Sequence, residues 1–154
     1  MKNLLKSLFA VVFLAIGATQ AKAQIYKTSL GLSVDFGDGS TLVGPAVKHF
    51  FDGNNAGQAE VVFGNHVTML QAMYSYNKGI SGAKGLNWYL GIGPALGFVK
   101  GGDTQFAIRP MAGLEYKING APIAFSFDWR PAFWLTDGGD SNVGRFGFGF
   151  KFTL

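Results

Sequence analysis

The sequence predicts an all-β chain, an antiparallel up-and-down transmembrane β-barrel of about eight strands that follows a cleaved signal peptide. Three observations carry that prediction. The final stretch, "RFGFGFKFTL", places Phe146, Phe148, Phe150, Phe152 and Leu154 at every second position, the period of a strand with one apolar face. Only 14% of the residues are charged while 48% are apolar, against about 25% charged in ordinary soluble domains. No run of 18 or more apolar residues follows the first two dozen positions, which removes membrane-spanning helices and leaves a closed sheet.

The 154 residues amount to one domain preceded by an export signal. In "MKNLLKSLFAVVFLAIGATQAKAQ", Lys2 and Lys6 form a basic head, Leu8 to Ile16 an apolar core, and Ala21-Lys22-Ala23 a small-residue cleavage site. Residues 1–23 are therefore expected to be a signal peptide, and residues 24–154 an outer-membrane β-barrel. Removing Lys2, Lys6 and Lys22 takes the basic count from 13 to 10 against 9 acidic residues, so nucleic acid is not an expected partner. With no cysteine there is neither a disulfide framework nor a thiol nucleophile.

The first strand, "IYKTSLGLSVDF", sets Tyr26, Leu30, Leu32, Val34 and Phe36 against Gly31, Ser33 and Asp35, and ends at the turn Gly37 to Ser40. The second, "TLVGPAVKHFF", has Val43, Pro45, Val47 and His49 on one face and Gly44, Ala46 and Lys48 on the other; a bulge near His49 is expected to reconcile its register. "QAEVVFG" opposes Ala59, Val61 and Phe63 to Glu60, Val62 and Gly64. "VTMLQAMYSYN" opposes Leu70, Ala72, Tyr74 and Tyr76 to Met69, Gln71, Met73 and Ser75.

The second half repeats the pattern. In "NWYLGIGPALGFVK", Trp88, Leu90, Ile92, Pro94, Leu96 and Phe98 face Tyr89, Gly91, Gly93, Ala95, Gly97 and Val99 across the strand; the glycine row marks a crowded side. "TQFAIRPMAGLEYKI" puts Arg109, Met111, Gly113 and Glu115 on one face, and "IAFSFDWRPAFWL" puts Ala124, Ser126, Asp128, Arg130 and Ala132 there. Strands of about ten residues joined by hairpins have the length a tilted strand needs to cross a bilayer. Their aromatic face is broad and the other face holds nearly all the strand-borne charge, an inversion of a soluble sandwich.

With the mature N-terminus in the periplasm, Tyr26, Tyr74, Tyr76, Trp88 and Tyr116 fall on one rim of the apolar face, as an interfacial aromatic girdle does. The opposite rim carries Gly37 to Ser40, Gly64 to His66, Lys100 to Asp103 and Thr136 to Val143, all short, which leaves little surface for adhesion. Glu60, Arg109, Glu115, Asp128, Arg130, Arg145 and Lys151 are expected to point inward and pair as a lumen charge network.

From Gln24 to Leu154 the chain resembles the small outer-membrane β-barrel family of Bacteroidota type, among the OmpX-like and OmpA-like eight-stranded barrels. The resemblance rests on "AKAQ" at the end of the signal, "GLEYK" at Gly113 to Lys117, "FDWRPAF" at Phe127 to Phe133, and the alternating last strand. It implies an outer membrane of a diderm bacterium as location, outer-membrane lipid as surroundings, and periplasmic chaperones as escorts. It also implies a C-terminal insertion signal at Phe150, Phe152 and Leu154, read by the outer-membrane insertion machinery, although such families usually finish on an aromatic residue. No peptidoglycan-binding domain is expected, and hence no tethering role.

Chemistry is sparse in this reading. An eight-stranded barrel is narrow enough for side chains to fill, so a structural or envelope-related role with a plugged lumen leads, and a narrow pore or a small-ligand transport barrel is the alternative. A lipid A-modifying enzyme would need His66 near Ser40, Asp103 or Ser141, or His49 with Asp52, and no nucleophile motif supports either grouping. A soluble lipocalin-like carrier would have to crowd every phenylalanine into the lumen. No catalytic residue, cofactor or metal site is expected; Asp38, Asp137 and Asp140 read as turn residues.

Overall fold

The structure, a computed structural model, describes residues 26–136 and 141–154. The expected signal peptide and the turn aspartates Asp137 and Asp140 lie outside the described residues. Nine strands follow in chain order: β1 Thr28–Gly37, β2 Ser40–Phe50, β3 Asn55–Phe63, β4 Val67–Gly79, β5 Leu86–Val99, β6 Thr104–Lys117, β7 Ile123–Trp129, β8 Phe133–Trp134 and β9 Arg145–Thr153. All pairings are antiparallel, and β9 returns to β1 from Ser29↔Thr153 to Gly37↔Arg145, which closes the sheet into a barrel. Carried once round, the registers close with an offset of about ten residues, which tilts the strands by about 40°.

The barrel has eight staves, because β7 and β8 are two pieces of one. Both hold the same register against β6, with Ala112↔Trp129 below the break and Ile108↔Phe133 above it. That register sets Pro110 level with Pro131, so two residues without an N–H face each other and the ladder lapses there. The seventh strand is therefore not the single run read from the sequence.

The bulge expected near His49 is also absent. β2 pairs β1 without interruption from Thr28↔His49 to Gly37↔Ser40. No insertion is needed, since His49 sits on the outer face at a strand end, where Thr28 Oγ1 lies 2.8 Å from its Nδ1 and Phe51 meets its ring edge-on at 5.7 Å. The opposite end of β1 turns tightly through Gly37 (φ 125°), Asp38 (φ 49°) and Gly39 (φ 82°), a left-handed path that glycine takes at little cost.

The strand period splits the molecule into two surfaces. Leu30, Leu32, Phe63, Leu70, Ile92, Leu114, Phe127, Phe148 and Phe152 are exposed on the outer wall. On the wall of β1, β7 and β9 the aromatics form a continuous patch, with Phe127 stacked on Phe146 at 5.8 Å and Phe125 against Phe150 at 5.3 Å. Inside, apolar clusters occupy both ends of the lumen. Tyr26, Phe50 and Ala56 fill the end nearest the N-terminus; Leu42, Val62, Met69, Ala95 and Ala107, with Trp134 against them, fill the other. Polar side chains take most of the space between, beside a third apolar cluster of Met73, Tyr89 and Met111.

Candidate functional site: the charge network of the lumen

Each charged side chain enters the lumen because strand alternation turns it inward, and none can stay there without partners, since a buried unpaired ion is costly. Asp35 on β1 anchors the level nearest the loop rim. Arg145 reaches it from the adjacent β9 through Nη2 at 2.7 Å and Nε at 2.9 Å, and donates Nη1 to Ser40 Oγ at 2.7 Å. Arg109 on β6 crosses the lumen to the same carboxylate, and also donates to Gln71 Oε1 at 2.8 Å. Its Nη2 donates at 2.6 Å to the carbonyl of Arg130, at the ladder break beside Pro131.

Arg130 holds the middle level. Its Nη1 donates to Glu60 Oε2 on β3 at 2.8 Å while Nη2 donates to Asp128 Oδ2 at 2.7 Å, so one guanidinium ties opposite walls together. Glu60 also accepts from Gln71 at 2.7 Å and from Gln58, and Asp128 accepts from the hydroxyl of Tyr89. The guanidinium lies where a side chain on Gly147 would be: a Cβ there would collide with it. At that position the glycine is needed for space.

Glu115 centres the third level, toward the N-terminal rim. It accepts from Lys151 Nζ at 2.7 Å and from the hydroxyl of Tyr26 at 2.6 Å, with Lys48 Nζ at 3.4 Å. Lys48 donates to Asn77 Oδ1 at 2.8 Å and rests against the faces of Phe50 and Tyr89, 5.0 and 4.9 Å from their centroids.

The structure thus places Glu60, Arg109, Glu115, Asp128, Arg130, Arg145 and Lys151 together inside the barrel, all buried. Asp35 and Lys48 belong to the same network and were not among the residues singled out from the sequence. Their signal was available, because both alternate onto the inward face of their strands. What the sequence withheld was their partners, on strands far away in the chain.

The girdle needs one correction. Tyr26 is not on the outer wall but in the lumen, 7% exposed, with its ring edge-on to Phe50 at 5.3 Å. It precedes β1, so strand alternation does not constrain it, and the carboxylate of Glu115 supplies its hydroxyl with an acceptor. Tyr74, Tyr76 and Tyr116 are exposed, and Trp88 alternates to the outer wall but is covered there, with Tyr76 at 5.9 Å. Phe152 and Leu154 of the C-terminal strand are exposed and Phe150 is half-buried.

The histidines stay apart. His49 bonds Thr28 while Asp52 is engaged by Asn54 and Asn55, and His66 lies on the exposed β3–β4 turn, where its carbonyl accepts from the Lys100 N–H at 2.8 Å. At the loop rim a cavity of about 200 Å³ opens between Leu42, Met69, Trp134, Asn142 and Arg145.

No family model and no curated protein matches the sequence. Among the solved structures that match the fold are two small barrels. A de novo designed transmembrane β-barrel aligns with a TM-score of 0.61 and 12% identity over 86% of this chain and 99% of its own. The N-terminal β-barrel domain of Pseudomonas aeruginosa OprF aligns with a TM-score of 0.61 and 16% identity over 82% of this chain and 99% of its own. The fold is a small, closed, eight-stranded antiparallel barrel, the fold of these two transmembrane barrels.

Proposed function

We propose that the chain is an integral outer-membrane β-barrel with a structural or envelope-related role and a lumen plugged by its own side chains. The observation that carries this reading is Arg130, which bridges Glu60 on β3 to Asp128 on β7 across the interior. A guanidinium paired on two sides, with further charged levels above and below, supports an interior that side chains fill and that braces the staves. The wall supports the same reading, since its exposed residues are the apolar ones that lipid accepts.

Export by residues 1–23, escort by periplasmic chaperones, and insertion through Phe150, Phe152 and Leu154 complete the proposal, as does membership of the OmpX-like and OmpA-like barrels of Bacteroidota type. The protein acts in this reading without catalysis. The test is expression in a diderm host followed by fractionation, gel mobility of unheated and boiled samples, and single-channel recording. Recovery in the outer membrane, a heat-dependent mobility shift and electrical silence are expected. Soluble periplasmic recovery without a shift would overturn the membrane reading; discrete conductance steps would replace the brace by a narrow pore, for which the cavity at the loop rim would be the entrance.

A further inference from the structure

Among the described residues, every charged side chain outside the lumen lies at one of the two rims, and the signs are sorted. Around the N-terminal rim stand Lys27 ahead of β1, Lys78 near the end of β4, Lys84 in the β4–β5 turn and Lys117 at the end of β6, against Asp52 alone. Around the loop rim, the described residues are Asp38 and Asp103 against Lys100. The outer wall between the rims carries no charged side chain among the described residues. One rim of the barrel is thus basic and the other acidic.

The outer wall is also uneven. A groove of about 480 Å³ opens on the side of β2 to β5 and runs to the basic rim. Its floor is Ala59 and Ala72, directly paired, and its walls are Val47 on β2 and Pro94 on β5. At the rim end the ring of Phe51 lies over Gly57, where a Cβ would come within 2.7 Å of it. His49 stands at this mouth with its Nδ1 turned to Thr28, and Lys27 is beside it, its carbonyl accepting from the Phe50 N–H at 2.8 Å. The wall of β1, β7 and β9, filled by phenylalanines, is the contrast.

We propose that this groove holds one anionic phospholipid, with an acyl chain on Ala59 and Ala72 and the phosphate at the basic rim near Lys27 and His49. The inference rests on the membrane reading, which puts lipid against the wall. Two features select the occupant: an apolar channel fixed by strands accepts a chain, and the basic rim to which it runs complements a negative headgroup. An apolar partner would not require the lysines. A soluble anion would not require the groove.

Folded protein in detergent would be offered phosphatidylglycerol or phosphatidylcholine of equal chain length and examined by native mass spectrometry, with gel mobility as the control for folding. The expected result is one retained phosphatidylglycerol in preference to phosphatidylcholine. The A59L/A72L variant should lose both lipids and keep its heat-dependent shift. The K27Q and K78Q variants should retain lipid but lose about fivefold of the preference for each lysine removed. Equal retention of the two lipids, retention unaffected by filling the groove, or displacement by lipopolysaccharide would each overturn the site while leaving the barrel intact. A wild-type protein without a heat-dependent shift would overturn the membrane reading and this site with it.

Discussion

The lumen and the outer wall are made by the same strands, one residue apart, and follow opposite rules. Asp128 is 1% exposed, while its neighbour Phe127 is 51% exposed. Inward, each ion is matched to a counter-ion or a hydrogen-bonding neutral group; outward, the strands carry aliphatic and aromatic side chains. The lesson is that alternation, not average hydrophobicity, carries the message of this chain. A soluble sandwich would have the same period with its faces exchanged.

That comparison breaks most sharply from the inside. Arg130→Met leaves Glu60 and Asp128 without the guanidinium between them, and should cost about 3–5 kcal/mol, read as a lower urea midpoint for the folded barrel in vesicles. Arg130→Lys should recover only part, because a single ammonium does not span both carboxylates with the geometry of a fork. An unchanged midpoint for Arg130→Met would show that the network braces nothing.

The wall is the next place to test. Phe148 pairs with Val34 and Phe127 near the middle of the sheet, so Phe148→Arg should cost about 2–4 kcal/mol if lipid surrounds it, and Phe148→Asp less. A cost near zero would mean that the wall meets water. Gly147→Ala tests the seam between the two surfaces: its methyl would strike the Arg130 guanidinium, and a loss of about 1–3 kcal/mol is expected from overpacking.

The smallest effect belongs to the rim. The backbone N–H of Asn54 and then the side chain of Asn55 donate to Asp52, which holds its carboxyl below the ordinary range. A carboxyl lowered in the folded state contributes stability above its unfolded pKa and loses it as pH falls through the folded one. Asp52→Ala should therefore lower the neutral-pH urea midpoint slightly and flatten its fall toward acid, leaving the midpoint at acid pH almost unchanged.

Much of this arrangement was legible in the chain. Glu60, Arg109, Glu115, Asp128, Arg130, Arg145 and Lys151 could be placed inside because each alternates with residues of the opposite kind, and alternation is a local property. Asp35 and Lys48 alternate in the same way, yet their roles depend on Arg145 and Glu115, 110 and 67 residues away. Tyr26 was misplaced for a related reason. It precedes the strand, so its direction is set by Glu115 and Phe50 and not by the period.

The sequence by itself determined which residues line each surface, since a period of two leaves a strand only two choices and the thirteen phenylalanines from Phe36 to Phe152 need somewhere apolar to go. Tertiary structure decided which charges meet, where the seventh stave breaks, and where the outer wall is hollow. Those outcomes depend on the register of every stave against its neighbours. The pairing of β6 with β7 and β8 brings Pro110 level with Pro131, that of β3 with β4 sets Ala59 beside Ala72, and only closure of the barrel lets Arg130 reach Glu60.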